Sequence, residues 1–405
     1  RCRNRDLVAV NNGIYDYGNK ILMAFDPAFV FTSKKHVDFV DRARNPVIHN
    51  NEDGTDWDVV SWMNELSDDP DVVSLLWQII GATVRPYVIW NKSAWLYSPS
   101  GNNGKGTLCT LLRNLCGPGD WTSIPLKNFG KDFMLTSLMH ASVIITDEND
   151  TGTFVDDAAS LKSIITGDPF QMNRKNRDPR DVLFNGFMVQ CVNEIPRVRD
   201  KSESMLRRLL VIPFEKRFEG CERKYIKGDY LNRPEVLEYV LYHVLETDYY
   251  ELDEPDACLA LLDDFRLTND PVRQFLDDIL IRATWDVLPW QFVFDLYRHW
   301  FMRNNPSGRC QSRKSLINDV KGIISDYEGW DYSDNPVSVP DEMYDTPEGL
   351  IGMYSVFEWE EPGYRGSNPN RSHLYRGSKR TRGLVRMGVA TSEDATTTDS
   401  TNKEE

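Results

Sequence analysis

A chain of 405 residues is too long for one hydrophobic core, so two or three domains are expected. Apolar residues make up 40% of it, with 11 Trp and 18 Phe, yet no apolar run approaches the ~18 residues of a membrane span. The net charge of −15 argues against a surface that binds nucleic acid indiscriminately, although the charge is uneven: Asp248–Asp264 is strongly acidic, while Arg365–Arg386 carries seven Lys or Arg and no Asp or Glu.

The opening RCRNRDLVAV has no methionine, apolar leader or cleavage site, and reads as an internal cut in a longer polypeptide. LVAVNNGIYDY then alternates around Asn12-Gly13 as strand, turn, strand. After the polar HNNEDGTDWD, apolar residues at helical spacing run through WDVVSWMNEL and DVVSLLWQIIGATV. SAWLYS is a short buried strand, and KGTLCTLLRNLCG a helix stopped by Gly117 and Pro118. SVIITDEND gives a second buried strand ending in charge, followed by the helical FVDDAASLKSIITG. DPFQMNRKNRDPRD is too charged for core. LFNGFMVQCVNEIP and MLRRLLVIPF supply two further strands. Strands alternating with helices, with polar residues at the strand ends, predict an α/β fold with a mainly parallel sheet.

Beyond Phe218 the pattern turns helical, in PEVLEYVLYHVLE and CLALLDDF. From Asp270, DPVRQFLDDIL, WQFVFDLYRHWFMRN and SRKSLINDVKGII form three amphipathic helices, a helical or winged-helix module. The aromatic stripe Trp290, Phe292, Phe294, Tyr297, Trp300 and Phe301 has the spacing of core rather than of a base-stacking platform. TSEDATTTDSTNKEE at the end is poor in hydrophobics and expected to be disordered. Seven cysteines without a C-x-x-C and six scattered histidines disfavour a zinc site or a disulfide framework and fit a reducing compartment, the cytoplasm.

The chemistry centres on WLYSPSGNNGKGTL. It approaches the phosphate-loop pattern G-x-x-x-x-G-K-[ST], but Pro99 replaces the first glycine and Gly106 follows the lysine, so the hydroxyl comes one step late, at Thr107. A glycine-rich turn alone is weak evidence. With a strand before it and a helix after it, backbone N–H groups and Lys105 can hold a polyphosphate. VIITDE adds carboxylates at a strand end, Asp147 to hold a metal and Glu148 to act as base, although a strand ending in a solvated acidic turn is common. Asn193, where the apolar run MVQCV stops, could position water, and Arg207-Arg208 precede another strand.

This order of motifs resembles superfamily 3 helicases, and most of all the helicase part of primase–helicases of bacteriophages, plasmids and poxviruses. The likeness covers about Val8 to Phe218 well, and Asp270 to Ile324 more loosely. It implies an AAA+-like P-loop NTPase core joined to a C-terminal helical or winged-helix module. Residues 1–55 would belong to the primase–helicase linker region, 56–268 to the ATPase, 269–332 to the winged-helix-like module, and 333–405 to a basic segment and disordered acidic tail. The implied activity is ATP-dependent translocation on single-stranded or forked DNA as a ring, a hexamer moving 3′ to 5′, with no membrane partner and with a primase or primase-polymerase domain preceding this segment. ATP and Mg²⁺ are the implied cofactors. Ser100, Gly101, Asn102, Asn103, Gly104, Lys105, Gly106 and Thr107 would cradle the nucleotide, Asp147 and Thr107 would hold Mg²⁺, and Glu148 would activate water. Asn193 would sense the γ-phosphate, and Arg208 or Arg207 would reach a neighbour's site. Arg174, Lys175 and Asn176 would follow the DNA strand in the channel. The rival from another class is a non-motor nucleotide-binding and DNA-binding module, an initiator or packaging-like protein with a degenerate loop.

Overall fold

The apolar runs SAWLY, VIIT, FMVQCV and LLVIP become neighbouring strands of one sheet in the computed structural model, which describes residues 2–129, 132–155, 158–174, 177–198, 203–304, 310–340, 343, 348–360 and 379–388. The chain divides into two compact units, Arg1–Asn269 and Asp270–Glu405.

The first unit opens with the antiparallel strands β1 (Leu7–Val10), β2 (Gly13–Asp16) and β3 (Ile21–Met23), then a short pair, β4 (Ile48–His49) and β5 (Asp56–Trp57). Helices α1 (Val59–Glu65) and α2 (Pro70–Val84) each begin at an aspartate, Asp58 and Asp69, whose carboxylate accepts a first-turn N–H. There follow β6 (Ser93–Tyr97), α3 (Lys105–Cys116), β7 (Trp121–Thr122), β8 (Val143–Thr146), β9 (Phe154–Val155), α4 (Ala158–Thr166), β10 (Phe170–Arg174) and β11 (Arg177–Val182). The unit ends with β12 (Phe187–Val192), β13 (Arg197–Val198), α5 (Glu203–Leu206), β14 (Leu209–Pro213), α6 (Lys224–Gly228), α7 (Pro234–Glu246) and α8 (Asp256–Asn269).

The central sheet is five-stranded and parallel throughout, in the order β14-β6-β12-β8-β7. Both of its faces are covered, which is why its strands are continuous apolar runs rather than alternations of apolar and polar. Residues alternate between two cores. Ala94, Leu96, Val143, Ile145, Val189, Cys191, Leu210 and Ile212 face the layer built by α2, α3 and α7. Trp95, Ile144, Met188, Val192, Leu209 and Val211 face the layer that includes α4 and α8. The stretch before residue 56 shares the first of these cores through Val8, Val10, Tyr15, Tyr17, Val37 and Phe39. Arg85, at the end of α2, is buried with its guanidinium 3.5 Å from the Tyr17 ring centroid and donates to the Tyr249 carbonyl at 2.7 Å. Lys35 is buried too, and its ammonium meets Asp120 Oδ2 at 2.6 Å and Ser142 Oγ at 2.9 Å.

The second unit contains α9 (Pro271–Leu280), β15 (Val287–Pro289), α10 (Trp290–Asn304), α11 (Arg313–Ile323), β16 (Trp330–Ser338), α12 (Gly349–Tyr354) and β17 (Arg380–Arg386). Its sheet is antiparallel in the order β15-β17-β16, so the middle strand comes from the stretch beyond residue 332 that the sequence pattern set apart as a basic segment. Gly383-Leu384-Val385 is the apolar signal for that strand, and Leu384 is fully buried. The stripe on α10 packs inward: Trp290, Phe292, Tyr297, Trp300 and Phe301 belong to the core of this unit. Among the described residues no helix is long and apolar enough to cross a membrane.

Candidate nucleotide site

Three loops meet at the carboxyl ends of adjacent parallel strands, where open α/β sheets bind ligands. The first, after β6, runs from Ser98 to Gly104 and feeds directly into α3. Gly104 is the N-cap of α3 at φ +92, and the helix has no side-chain cap and no acidic residue in its first turn. The Lys105 N–H is engaged by Asn103 Oδ1 and the Thr107 N–H by the Gly104 carbonyl, which leaves the Gly106 N–H and the positive end of the helix for an anion. A methyl group on Gly104 would also come within 2.7 Å of Leu66 Cδ2. Gly104→Ala is accordingly expected to cost about 1–3 kcal/mol of stability by chemical denaturation. Gly101→Ala, where an added methyl meets nothing within 4 Å, should stay within about 0.5 kcal/mol of wild type.

Within the loop, Asn103 is buried and acts as a brace. Its amide donates to the Ser100 carbonyl, and its Oδ1 accepts the Lys105 N–H at 3.3 Å. Asn102 faces the other way, donating to Glu222 Oε1 at 2.9 Å while its carbonyl accepts the Phe218 N–H at 2.8 Å. Ser100, Gly106 and Thr107 are half-buried, and Pro99 and Gly101 are exposed. A side chain at Gly106 would find room, its Cβ meeting only Lys227 Nζ, at 3.7 Å.

Lys105 is 6% exposed, with its ammonium 2.8 Å from Asn193 Oδ1 and 3.2 Å from the Ser98 carbonyl. Burial pushes this ammonium below its ordinary value, and the thiols of Cys191 and Cys109 offset part of that. No carboxylate pairs with Lys105 among the described residues, so its charge is left for a ligand. The motifs after β6 and β12, 88 residues apart, thus touch.

Asp147 and Glu148 leave β8 in opposite environments. Asp147 turns toward α3 and pairs with Arg113 at 2.7 Å, while its Oδ1 is buried without a hydrogen-bond partner. Glu148 is exposed. Asn149 fixes the turn that presents it, donating to Gln190 Oε1 and to the Cys191 carbonyl, both at 3.0 Å, and accepting the Leu126 N–H at 2.7 Å. Cys109, Asp147 and Cys191 offer ligand atoms within 4.8 Å of one another. The Cys109 thiol, however, is held well above its ordinary value by its hydrogen bond to Cys191 and by burial, so it packs as a neutral core group.

Arg208 folds back on α5, its Nη1 donating to the Ser204 carbonyl and, at 2.7 Å, to Ser204 Oγ. Arg207 beside it is exposed. Arg174 ends β10, which pairs antiparallel with β11 through Arg174 opposite Arg177, while Lys175 and Asn176 lie outside the described residues.

Sequence reasoning passed over Arg113, Asn149 and Lys227. For Arg113 a signal existed: it follows Lys105 by eight residues and Cys109 by four, on the helix face turned to the sheet. Asn149 and Lys227 carry no periodic signal.

A sequence-family model described as a family of unknown function (DUF5906) matches residues 96–208. No curated protein matches the chain. Solved structures of the NrS-1 C-terminal region are similar at low identity. One apo form has 16% identity over 75% of this chain and 70% of that one, with a TM-score of 0.41. The apo structure of its residues 305–718 has 14% identity over 90% of this chain and 84% of that one, with a TM-score of 0.43.

Proposed function

We propose that the chain is an ATP-driven motor that moves along single-stranded DNA. The observation that carries this is the meeting of Lys105 and Asn193 at 2.8 Å, at the same sheet edge from which Asp147 and Glu148 leave the neighbouring strand. The strand order supports an AAA+-like P-loop core: counted along the chain the sheet runs 5-1-4-3-2, with the Asn193 strand between the loop strand and the acidic strand. A structural ligand site would have no need of a solvated carboxylate at that edge.

In this reading the α3 N-terminus and Lys105 bind the phosphates, Glu148 takes a proton from the attacking water, and Asn193 orients that water. Asp147 fits a divalent cation in having a buried Oδ1 with no hydrogen-bond partner. Asp147 and, directly or through water, Thr107 would hold Mg²⁺ there, which would supply neutralisation of phosphate charge. A ring, a hexamer by family resemblance, would let an arginine complete the neighbour's site. Exposure favours Arg207 for this over Arg208, which Ser204 engages.

The second unit supports a DNA partner. Its order α9-β15-α10-α11-β16-α12-β17 resembles that of a winged helix with α12 added between the last two strands, and Arg313 and Lys314 are exposed at the start of α11. Arg174, Lys175 and Asn176 have the residue types for sequence-tolerant contact with phosphates.

The test is ATP hydrolysis by the full chain with and without single-stranded DNA, alongside unwinding of a forked duplex. A motor hydrolyses ATP faster with DNA and opens the fork. Nucleotide and DNA binding without any turnover would favour the non-motor binding module and end this reading.

A further inference from the structure

A second lysine stands beside the phosphate loop. Lys227 is exposed, makes no ion pair among the described residues, and has its Nζ 3.7 Å from the point where a Cβ on Gly106 would lie. Gly106 is the position at which the usual loop carries a hydroxyl for the metal. We propose that Lys227 is a phosphate-binding residue of this site, supplying next to Gly106 part of the positive charge that a hydroxyl-anchored divalent cation would bring. The proposal rests on the reading of the loop as a nucleotide site.

Three observations hold Lys227 in that place. Phe218 donates its N–H to the Asn102 carbonyl at 2.8 Å and Asn102 donates to Glu222 at 2.9 Å, so the chain leading into α6 is tied to the loop. Ile226, one residue before Lys227, is buried in the core shared with α3. Asn114 of α3 donates to the Leu231 carbonyl at 2.8 Å and to Asn232 Oδ1 at 3.0 Å, and Asn232 donates back to the Lys227 carbonyl at 3.3 Å. Two other cations of this segment are engaged: Lys216 pairs with Asp68 and Arg223 with Glu65. Lys227 alone of these three is left facing the loop. With Lys105 it would place two ammonium groups on a polyphosphate seated on the α3 N-terminus, one from beneath and one from the solvent side.

The consequence is nucleotide binding that survives removal of the divalent cation. The experiment is equilibrium binding of a fluorescent ATP analogue to the full chain, in Mg²⁺ and in EDTA, for wild type, Lys105→Ala, Lys227→Ala, Lys227→Arg and Gly106→Ser/Lys227→Ala. Wild type should lose no more than a few-fold in EDTA. Lys227→Ala should lose about tenfold in EDTA and less in Mg²⁺, the worth of one charge-assisted contact, with an unchanged thermal midpoint. Lys227→Arg should restore binding, and the added serine hydroxyl should recover affinity only in Mg²⁺. Equal affinity of wild type and Lys227→Ala in EDTA would overturn this proposal alone. Failure of wild type to bind, or equal binding by Lys105→Ala, would overturn it together with the nucleotide-site reading.

Discussion

Glu148→Gln should abolish ATP turnover while leaving nucleotide binding in place. Loss of a general base costs about 10²–10⁴-fold in rate, and the amide keeps the size and hydrogen-bonding reach of the carboxylate without accepting the proton. Among the described residues Glu148 makes no ion pair or side-chain hydrogen bond. It is exposed at the end of β8, and the turn around it is pinned by Asn149 rather than by its own side chain. Stability should therefore be untouched. Lys105→Ala should fail one step earlier, at binding, since Lys105 is the buried cation at the loop. Phosphate release and analogue binding, measured on the same preparations, separate the two. Glu148→Gln turnover within twofold of wild type would remove the catalytic assignment.

Lys35→Met should destabilise the first unit by about 3–5 kcal/mol, because it leaves the Asp120 carboxylate buried and unpaired. Both partners are 2% exposed, and the ion pair lies against Ser142 at the start of β8. Replacing both residues with apolar side chains should recover most of the loss. Burial works against the Lys35 ammonium, but Cys116 and Asp120 beside it outweigh burial and hold it above its ordinary value. On the lysine side, the raised value contributes stability that is fully present below the unfolded lysine value of about 10.4 and is lost as pH rises through the folded value. Hydrogen exchange of the β6 and β8 amides in denaturant would read this unit separately from the other. A loss under 1 kcal/mol would show that Asp120 finds water once the lysine is gone.

The parallel sheet was legible because burial on both faces forces continuous apolar runs, and four such runs mark its four inner or long strands. The convergence of the loop lysine Lys105 on Asn193 at the end of β12 was legible from residue type and strand end. Lys35 shows what was not. A lysine in the polar stretch TSKKHVD carries no mark of burial, and its partner is 85 residues away. Arg113 is similar, since an arginine on an amphipathic helix reads as solvated until the sheet brings Asp147 against it. Strand β17 was hidden for another reason: only three apolar-compatible residues, Gly383, Leu384 and Val385, stand among cations, so net charge masked a strand that sits between two others.

That strand also sets the order in which the second unit can be completed. β15 and β16 never pair with each other; each waits for a partner that a ribosome delivers about fifty residues after β16 begins. Until then the nascent chain carries two open sheet edges, each a template for another molecule's backbone. An expression clone stopped at residue 340, just after β16, would make that transient condition permanent, and its poor yield would say nothing about the chemistry of the first unit.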